Sequence, residues 1–272
     1  MELIWRISIL KELVGLNKSF DDVWKDLPWK KFRRQVFRLQ RGIFKAEKLG
    51  QIHRVKRLQR LLLRSKAAKF LAVRQVTQLN LGKKTAGVDG KTALTTKERL
   101  ETAQNLQKNW DKWNHLPLRR VNIPKPDGRV RGLGIPTIAD RAWQCLLKYA
   151  AEPCHEATAG ARSYGFRPGR GAHDCQKLLF NNLNSSCNGF NKRVYEADIE
   201  KCFDRISHKA ILDGVVLPKE AKKGLAKAIK AGVRGETPSS IEGTPQGGTI
   251  SPKKSKYCPK WVRGCNAQGQ RY

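Results

Sequence analysis

The feature that most limits how this chain can fold is a 57-residue run, Pro28 to Lys84, that holds 18 Lys+Arg and one acid, Glu47. That is a local excess of +17 within a net charge of +32 for 272 residues. Helices commonly offset such charge with acids three or four residues away, and here those acids are missing. The run still carries an apolar pattern. Val36, Leu39, Ile43 and Ala46 recur at three- and four-residue steps, Gly50 interrupts, and Ile52, Val55, Leu58 and Leu62 resume the stripe. The pattern predicts a helical hairpin with one side packed and the other cationic. Arg57, Arg60 and Arg64 fall on a face of the second helix away from its stripe. Each phosphate that such a face neutralises releases condensed counterions, so binding is strong and steeply salt-dependent. Nucleic acid is the expected partner and an anionic membrane surface the weaker alternative. Composition does not separate RNA from DNA.

Several classes are excluded early. A hydrophobic fraction of 39% leaves enough apolar material for a core. No stretch approaches the roughly 18 apolar residues of a membrane span. Met1 to Leu16 is interrupted by Glu2, Arg6, Lys11 and Glu12, which breaks up any signal-peptide core. The seven cysteines are an odd count, and Cys145, Cys154, Cys175, Cys187 and Cys202 lack metal-ligand spacing. Free thiols in a reducing compartment are expected.

Beyond Lys84 the texture changes. A Gly-rich turn, Thr85 to Gly90, precedes a helix expected through Lys97 to Trp113. Leu118 to Ile123 alternates like a strand, Pro126-Asp127-Gly128 signals a turn, and Val130 to Ile135 reads as a second strand. Asp140 to Ala151 looks helical, and Val194 to Ile199 reads as a short strand. Helices and strands alternate without a regular βα period, so the expected class is α+β rather than a doubly wound sheet.

The strand Val194 to Ile199 delivers Asp198 at its end, within Arg193-Val-Tyr-Glu-Ala-Asp-Ile-Glu-Lys-Cys-Phe-Asp204. A carboxylate there, with backbone carbonyls following, suits Mg²⁺, which takes one or two carboxylates plus phosphates and waters. Taken alone, an aspartate in that position is more often a helix cap.

Its neighbours change that balance. Arg120 to Arg129, Leu133 to Arg141, Ser163-Tyr-Gly-Phe-Arg-Pro-Gly-Arg170, the Asp198 block and Gly243-Thr-Pro-Gln-Gly-Gly-Thr-Ile-Ser-Pro252 occur in that order. Together they closely resemble the ordered blocks of group II intron-encoded reverse transcriptases, also called maturases. The basic hairpin and Asn80 to Gly90 resemble that family's amino-terminal extension, and the likeness runs from about Trp5 to Pro252. The resemblance implies residues 1–84 as a basic helical extension, 85–252 as fingers with an incomplete palm, and 253–272 as a basic tail. It implies intron RNA as a partner, with a primer–template duplex and a nucleoside triphosphate held between fingers and palm. Arg57, Arg60, Arg64, Lys83 and Lys84 become the expected RNA contacts.

The resemblance also assigns roles in the palm and fingers. Asp198 matches the first metal-binding carboxylate, which with its partners holds the two Mg²⁺ ions that activate the primer hydroxyl and stabilise the leaving pyrophosphate. Phe203 matches the side chain under the incoming sugar, where a ring leaves no room for a 2′-hydroxyl; an ordinary core phenylalanine is the plainer reading, and both can hold. Lys125 and Arg131 match the cations that grip the triphosphate, against the plainer reading of two exposed turn residues. Gln246 is expected beside the incoming nucleotide. Arg167 and Arg170 are expected to hold either template or structure.

The sequence departs from the family after Pro252. Where the family continues with an apolar helix and a Tyr-x-Asp-Asp hairpin, this chain reads Lys253-Lys-Ser-Lys-Tyr-Cys-Pro-Lys260 and has six Lys+Arg and no acid in its last twenty residues. Translation out of the ancestral frame or a junction with foreign sequence is expected. Phe20-Asp21-Asp22-Val23 superficially copies the absent motif but is better read as an acidic pair starting a helix. Two metals need carboxylates from two strands, so polymerisation by this chain alone is not expected. The alternatives are an enzyme completed by a second fragment that carries the rest of the palm, and a gene product without a role. The palm strand is expected to present an open edge. Bacterial cytoplasm is the expected location, with plastid or mitochondrion as the alternative.

Overall fold

A helix that is apolar around most of its circumference must be surrounded, and Ile138–Thr158 is such a helix, with fourteen of its 21 residues buried. The computed structural model describes residues 19–124, 128, 130–187, 189–196, 205–235 and 243, with backbone alone at 131 and 187. In chain order the helices are α1 (Phe20–Lys25), α2 (Trp29–Lys48), α3 (Ile52–Arg64), α4 (Lys66–Arg74) and α5 (Thr96–Asn109). Strands β1 (Arg119–Pro124) and β2 (Val130–Ile135) follow, then the central α6 (Ile138–Thr158), α7 (Ala172–Leu183), α8 (His208–Gly214) and α9 (Lys219–Lys230). The class is α+β, with a helical amino-terminal half and a small antiparallel sheet.

The expected hairpin is α2 and α3. Val36, Ile43 and Ala46 of α2 and Val55 and Leu62 of α3 are buried, while Leu39 and Leu58 are partly buried against the same core. Gly50 makes the corner with φ +66°. Its N–H donates to Glu47 O at 2.9 Å and that of Gln51 to Ala46 O at 2.9 Å, a left-handed helix end that favours glycine. One member of the stripe fails: Ile52, the first residue of α3, is exposed. A third helix of the run, α4, buries Ala67, Ala68, Phe70, Ala72 and Val73.

The packing of α2 and α3 onto α6 is keyed by amides. Pro153 lies inside α6, and proline has no N–H for the carbonyl four residues back while its ring crowds that turn. The carbonyl left without its donor is that of Tyr149, and Gln40 of α2 donates to it at 3.0 Å. The next carbonyl, Ala150 O, receives Gln59 Nε2 of α3 at 3.1 Å. The same Gln59 nitrogen donates to Val216 O at 2.7 Å, which ties α3 to the turn between α8 and α9. On the far side, α9 presses Gly224 against Trp143 so closely that a Cβ there would stand 2.5 Å from the indole.

The strands form the predicted hairpin, antiparallel from Arg119↔Ile135 to Pro124↔Val130. Just before it, Leu118 N donates to Gly232 O and Arg234 N to Leu118 O, each at 2.9 Å, so the chain leaving α9 runs beside the foot of β1. The expected strand Val194 to Ile199 needs correction over its described part. Val194 to Glu196 is not in a strand, and Val194 and Tyr195 are 72% and 89% exposed. An extended segment is held by its ladder, and among the described residues none pairs with it. The acidic pair near the amino terminus behaves as expected: Ser19 caps α1, its Oγ accepting from Asp22 N at 3.2 Å while Asp22 Oδ2 accepts from Ser19 N.

Candidate nucleic-acid interface

The cationic face of the hairpin is built by the periodicity that buries its other side. Arg57 and Arg64 of α3 are exposed, and Arg60 lies between them, half-covered. The cause of that cover is an acid from 160 residues further on: Glu220, in the first turn of α9, stands 3.6 Å from Arg60 Nε. Glu220 is held below the usual carboxylate range by its own backbone N–H and then by Arg60, with Arg64 adding to the effect. The sequence reading did not single out α9, yet Lys219, Lys223, Lys227 and Lys230 are all exposed along one side of it. Lys222, close to Lys56, is lowered by burial and by that neighbour, and its ammonium donates to Leu212 O at 2.7 Å. The positive surface therefore continues from α3 onto α9.

Lys83 and Lys84 sit on a 3₁₀ turn, Leu81–Lys84. Lys84 is exposed, whereas Lys83 turns back to donate to Gln78 O at 2.9 Å. The loop is anchored by Arg141, a residue whose role the sequence did not reveal. Its guanidinium is buried and donates to Gly82 O at 2.7 Å, Thr85 O, Pro136 O at 3.1 Å and Thr137 O at 3.4 Å. One side chain thus joins the lysine turn to the foot of β2. Asp140 beside it gathers Trp113 Nε1 at 2.8 Å, His115 Nδ1 at 3.1 Å and Thr137 Oγ1 at 2.7 Å. The signal was present in Thr137-x-x-Asp140, a helix-capping spacing.

The fingers and palm assignments fall mostly elsewhere. Lys125, Asp198, Phe203 and Gln246 lie outside the described residues. Arg131 occupies β2 opposite Ile123. What the structure does bring together are the flanks of the Asp198 and Gly243 sequence blocks: Gly243 N donates to Ile206 O at 3.0 Å, and His208 Nε2–H donates to Gly243 O at 2.6 Å. Arg167 holds structure, since its Nε and a terminal nitrogen both stand 2.9 Å from Glu156 Oε2 and Nη1 donates to Gly160 O and Ser163 O. Arg170 donates to Ala161 O and lies 5.1 Å over the Tyr164 ring. Among the described residues no His, Cys, Asp and Glu side chains cluster as a metal site, and no helix is long and apolar enough to cross a membrane.

Comparison with known families fits this arrangement. The N-terminal domain of reverse transcriptase matches residues 24–106, and reverse transcriptase (RNA-dependent DNA polymerase) matches residues 123–258. The chain belongs to the reverse transcriptase family. Its relatives include maturase-like and group II intron-encoded proteins. It is 32% identical over 209 residues to Maturase-like protein 1 of Euglena gracilis, covering 77% of this chain and 46% of that protein. It is 34% identical over 205 residues to Protein YkfC of Escherichia coli K12, covering 72% of this chain and 54% of that protein. The Group II intron-encoded protein LtrA of Lactococcus lactis is 32% identical over 142 residues, covering 50% of this chain and 23% of LtrA. This reverse transcriptase relative thus spans about half the length of the first two proteins it matches.

Proposed function

We propose that the chain binds group II intron RNA through its amino-terminal helices and that its 272 residues do not extend a primer by themselves. The observation that carries the reading is the charge distribution on the fold: 18 Lys+Arg against one acid in 28–84, with the cations of α3 on the side away from the core and a further stripe on α9. Arg57, Arg60, Arg64 and Lys84 contact phosphates, and Lys83 shapes the turn that presents Lys84. Residues 1–84 act as the RNA-binding extension, 85–252 as fingers and part of a palm, and 253–272 as a basic tail.

The assignments in the palm rest on the family. Asp198 supplies one carboxylate for Mg²⁺, Phe203 lies under the incoming sugar, and Lys125, Arg131 and Gln246 face the triphosphate. The sequence has no Tyr-x-Asp-Asp, and the phosphoryl-transfer centre needs that second pair of carboxylates. The alternative is an active RNA-directed DNA polymerase completed by a fragment that carries the rest of the palm. The protein works where its intron is transcribed, in the bacterial cytoplasm or, alternatively, in a plastid or mitochondrion.

Two measurements test the proposal. Filter binding to a group II intron transcript in low salt is expected to show retention that falls steeply as salt rises; no retention at all overturns RNA binding. Primer extension on an RNA template with Mg²⁺ and deoxynucleotides is expected to give no product. Product that vanishes in Asp198→Ala overturns the claim of inactivity and favours the polymerase reading.

A further inference from the structure

Between α2 and α4 lies a second, chemically different surface. A groove of about 280 Å³ runs between α2 and α4, with Arg33 and Phe37 on one wall and Arg74, Gln75 and Leu79 on the other. It opens into a wider cleft of about 610 Å³ that shares Arg33 and Arg74 and adds Trp29, Lys30, Lys31 and Arg34. No carboxylate lines either one. Phe37 and Leu79 are 60% and 61% exposed, although both project from well-packed elements.

Two details set this apart from a solvated helix face. The far wall is a π-helical turn, Gln75–Leu79, a conformation that is rare and recurs at functional sites. It is pinned by Gln75 Nε2 donating to Asn80 Oδ1 at 2.8 Å, and it swings Leu79 outward. The guanidinium carbon of Arg74 lies 4.5 Å from the centroid of the Trp29 ring, a cation–π contact made without any ligand.

We propose that this groove holds an unpaired RNA nucleotide, with the base on Phe37 and Leu79 and its flanking phosphates on Arg33 and Arg74. The inference rests on the reading that the chain binds RNA and adds where a single strand is gripped. The charge complementarity decides the occupant, because two arginines beside an exposed ring, with three more cations in the adjoining cleft and no acid in either, suit alternating phosphates and bases. Binding of single strands combines such a cationic track with aromatic platforms on which bases stack. A paired A-form helix hides its base faces, so only splayed nucleotides reach Phe37.

The test uses the full chain and fluorescein-labelled RNA 12-mers, single-stranded and duplex, by anisotropy at one salt concentration. Phe37→Ala removes no charge and an exposed ring, so it is expected to keep the fold and the salt slope. It is expected to weaken single-strand binding by roughly 5- to 150-fold and duplex binding by less than about twofold, with Phe37→Trp restoring the loss. If the wild-type chain binds neither RNA, the proposed function itself has failed. If it binds both and Phe37→Ala changes neither or both alike, the groove assignment alone is overturned. Poly-glutamate that binds the wild type and is lost in Phe37→Ala, with single-stranded RNA unaffected, would make the groove an acidic-peptide site and overturn it as well.

Discussion

Replacing Arg57, Arg60 and Arg64 together by Ala should flatten the salt dependence of RNA binding by a predictable amount. Each phosphate contact contributes roughly 0.7 to 0.9 to the slope of log K against log salt. Three unencumbered arginines would remove roughly 2 to 2.7. Arg60, however, already faces Glu220 at 3.6 Å, with their side chains 40% and 46% exposed, so its counterion release is partly forestalled and the loss should sit nearer 2. Over a fourfold rise in salt, a slope difference of 2 means that the wild type loses roughly 15-fold more affinity than the variant. Filter binding from about 50 to 200 mM salt reads this directly. The companion change Glu220→Gln should act in the opposite sense, steepening the slope by less than one unit as Arg60 is released to phosphate. A triple variant with the wild-type slope, or a Glu220→Gln variant that binds more weakly, would refute the placement of RNA on α3.

Three other outcomes follow from the core. Gln59 is fully buried and serves Ala150 O and Val216 O, so Gln59→Leu should cost about 1–3 kcal/mol for the unsatisfied carbonyls, seen as a lower urea midpoint. Lys69 is buried, with its pKa brought down to about 8 by burial in spite of Asp111. Because the unfolded amine titrates near 10.5, the unfolded chain holds more protons between those values. Lys69 should therefore contribute up to about 3 kcal/mol of added stability from pH 8 to 10.5, opposed by the buried thiols of Cys145 and Cys154, and the difference between wild type and Lys69→Met in chemical denaturation should show it. Burial pushes the Cys145 thiol up to about 11 and raises that of Cys154 as well. Both should resist a thiol reagent at pH 8 in the native protein and react at once in guanidinium, as peptide mapping would report.

Periodicity made the α2–α3 hairpin legible, because burial against a neighbour imposes a repeat on each helix by itself. The same holds for β1 and β2, where alternation and a turn signal are both local. Ile52 shows the limit: the repeat includes it, yet it stands exposed at the first position of α3. The features that escaped are long-range and polar. Gln59 meets Val216 across 157 residues, and Arg141 meets Gly82 across 59; neither distance leaves a mark on the local pattern. Glu220 likewise lies 160 residues from Arg60 in sequence, and only the fold sets the two side by side. Of the candidate site, the arginines of α3 were readable from spacing, whereas the continuation onto α9 needed the tertiary arrangement.

Pro153 has a consequence for how this molecule can drift. By removing one N–H from α6 it left the Tyr149 carbonyl without its helical donor, and the Gln40 side chain of α2 now occupies it. Restoring an ordinary residue at 153 would give the Tyr149 carbonyl a rival donor and leave the Gln40 amide to find another partner inside a packed seam. Positions 40 and 153 therefore behave as a matched pair, and a variant library sampling both should recover folded chains mainly in compensating combinations.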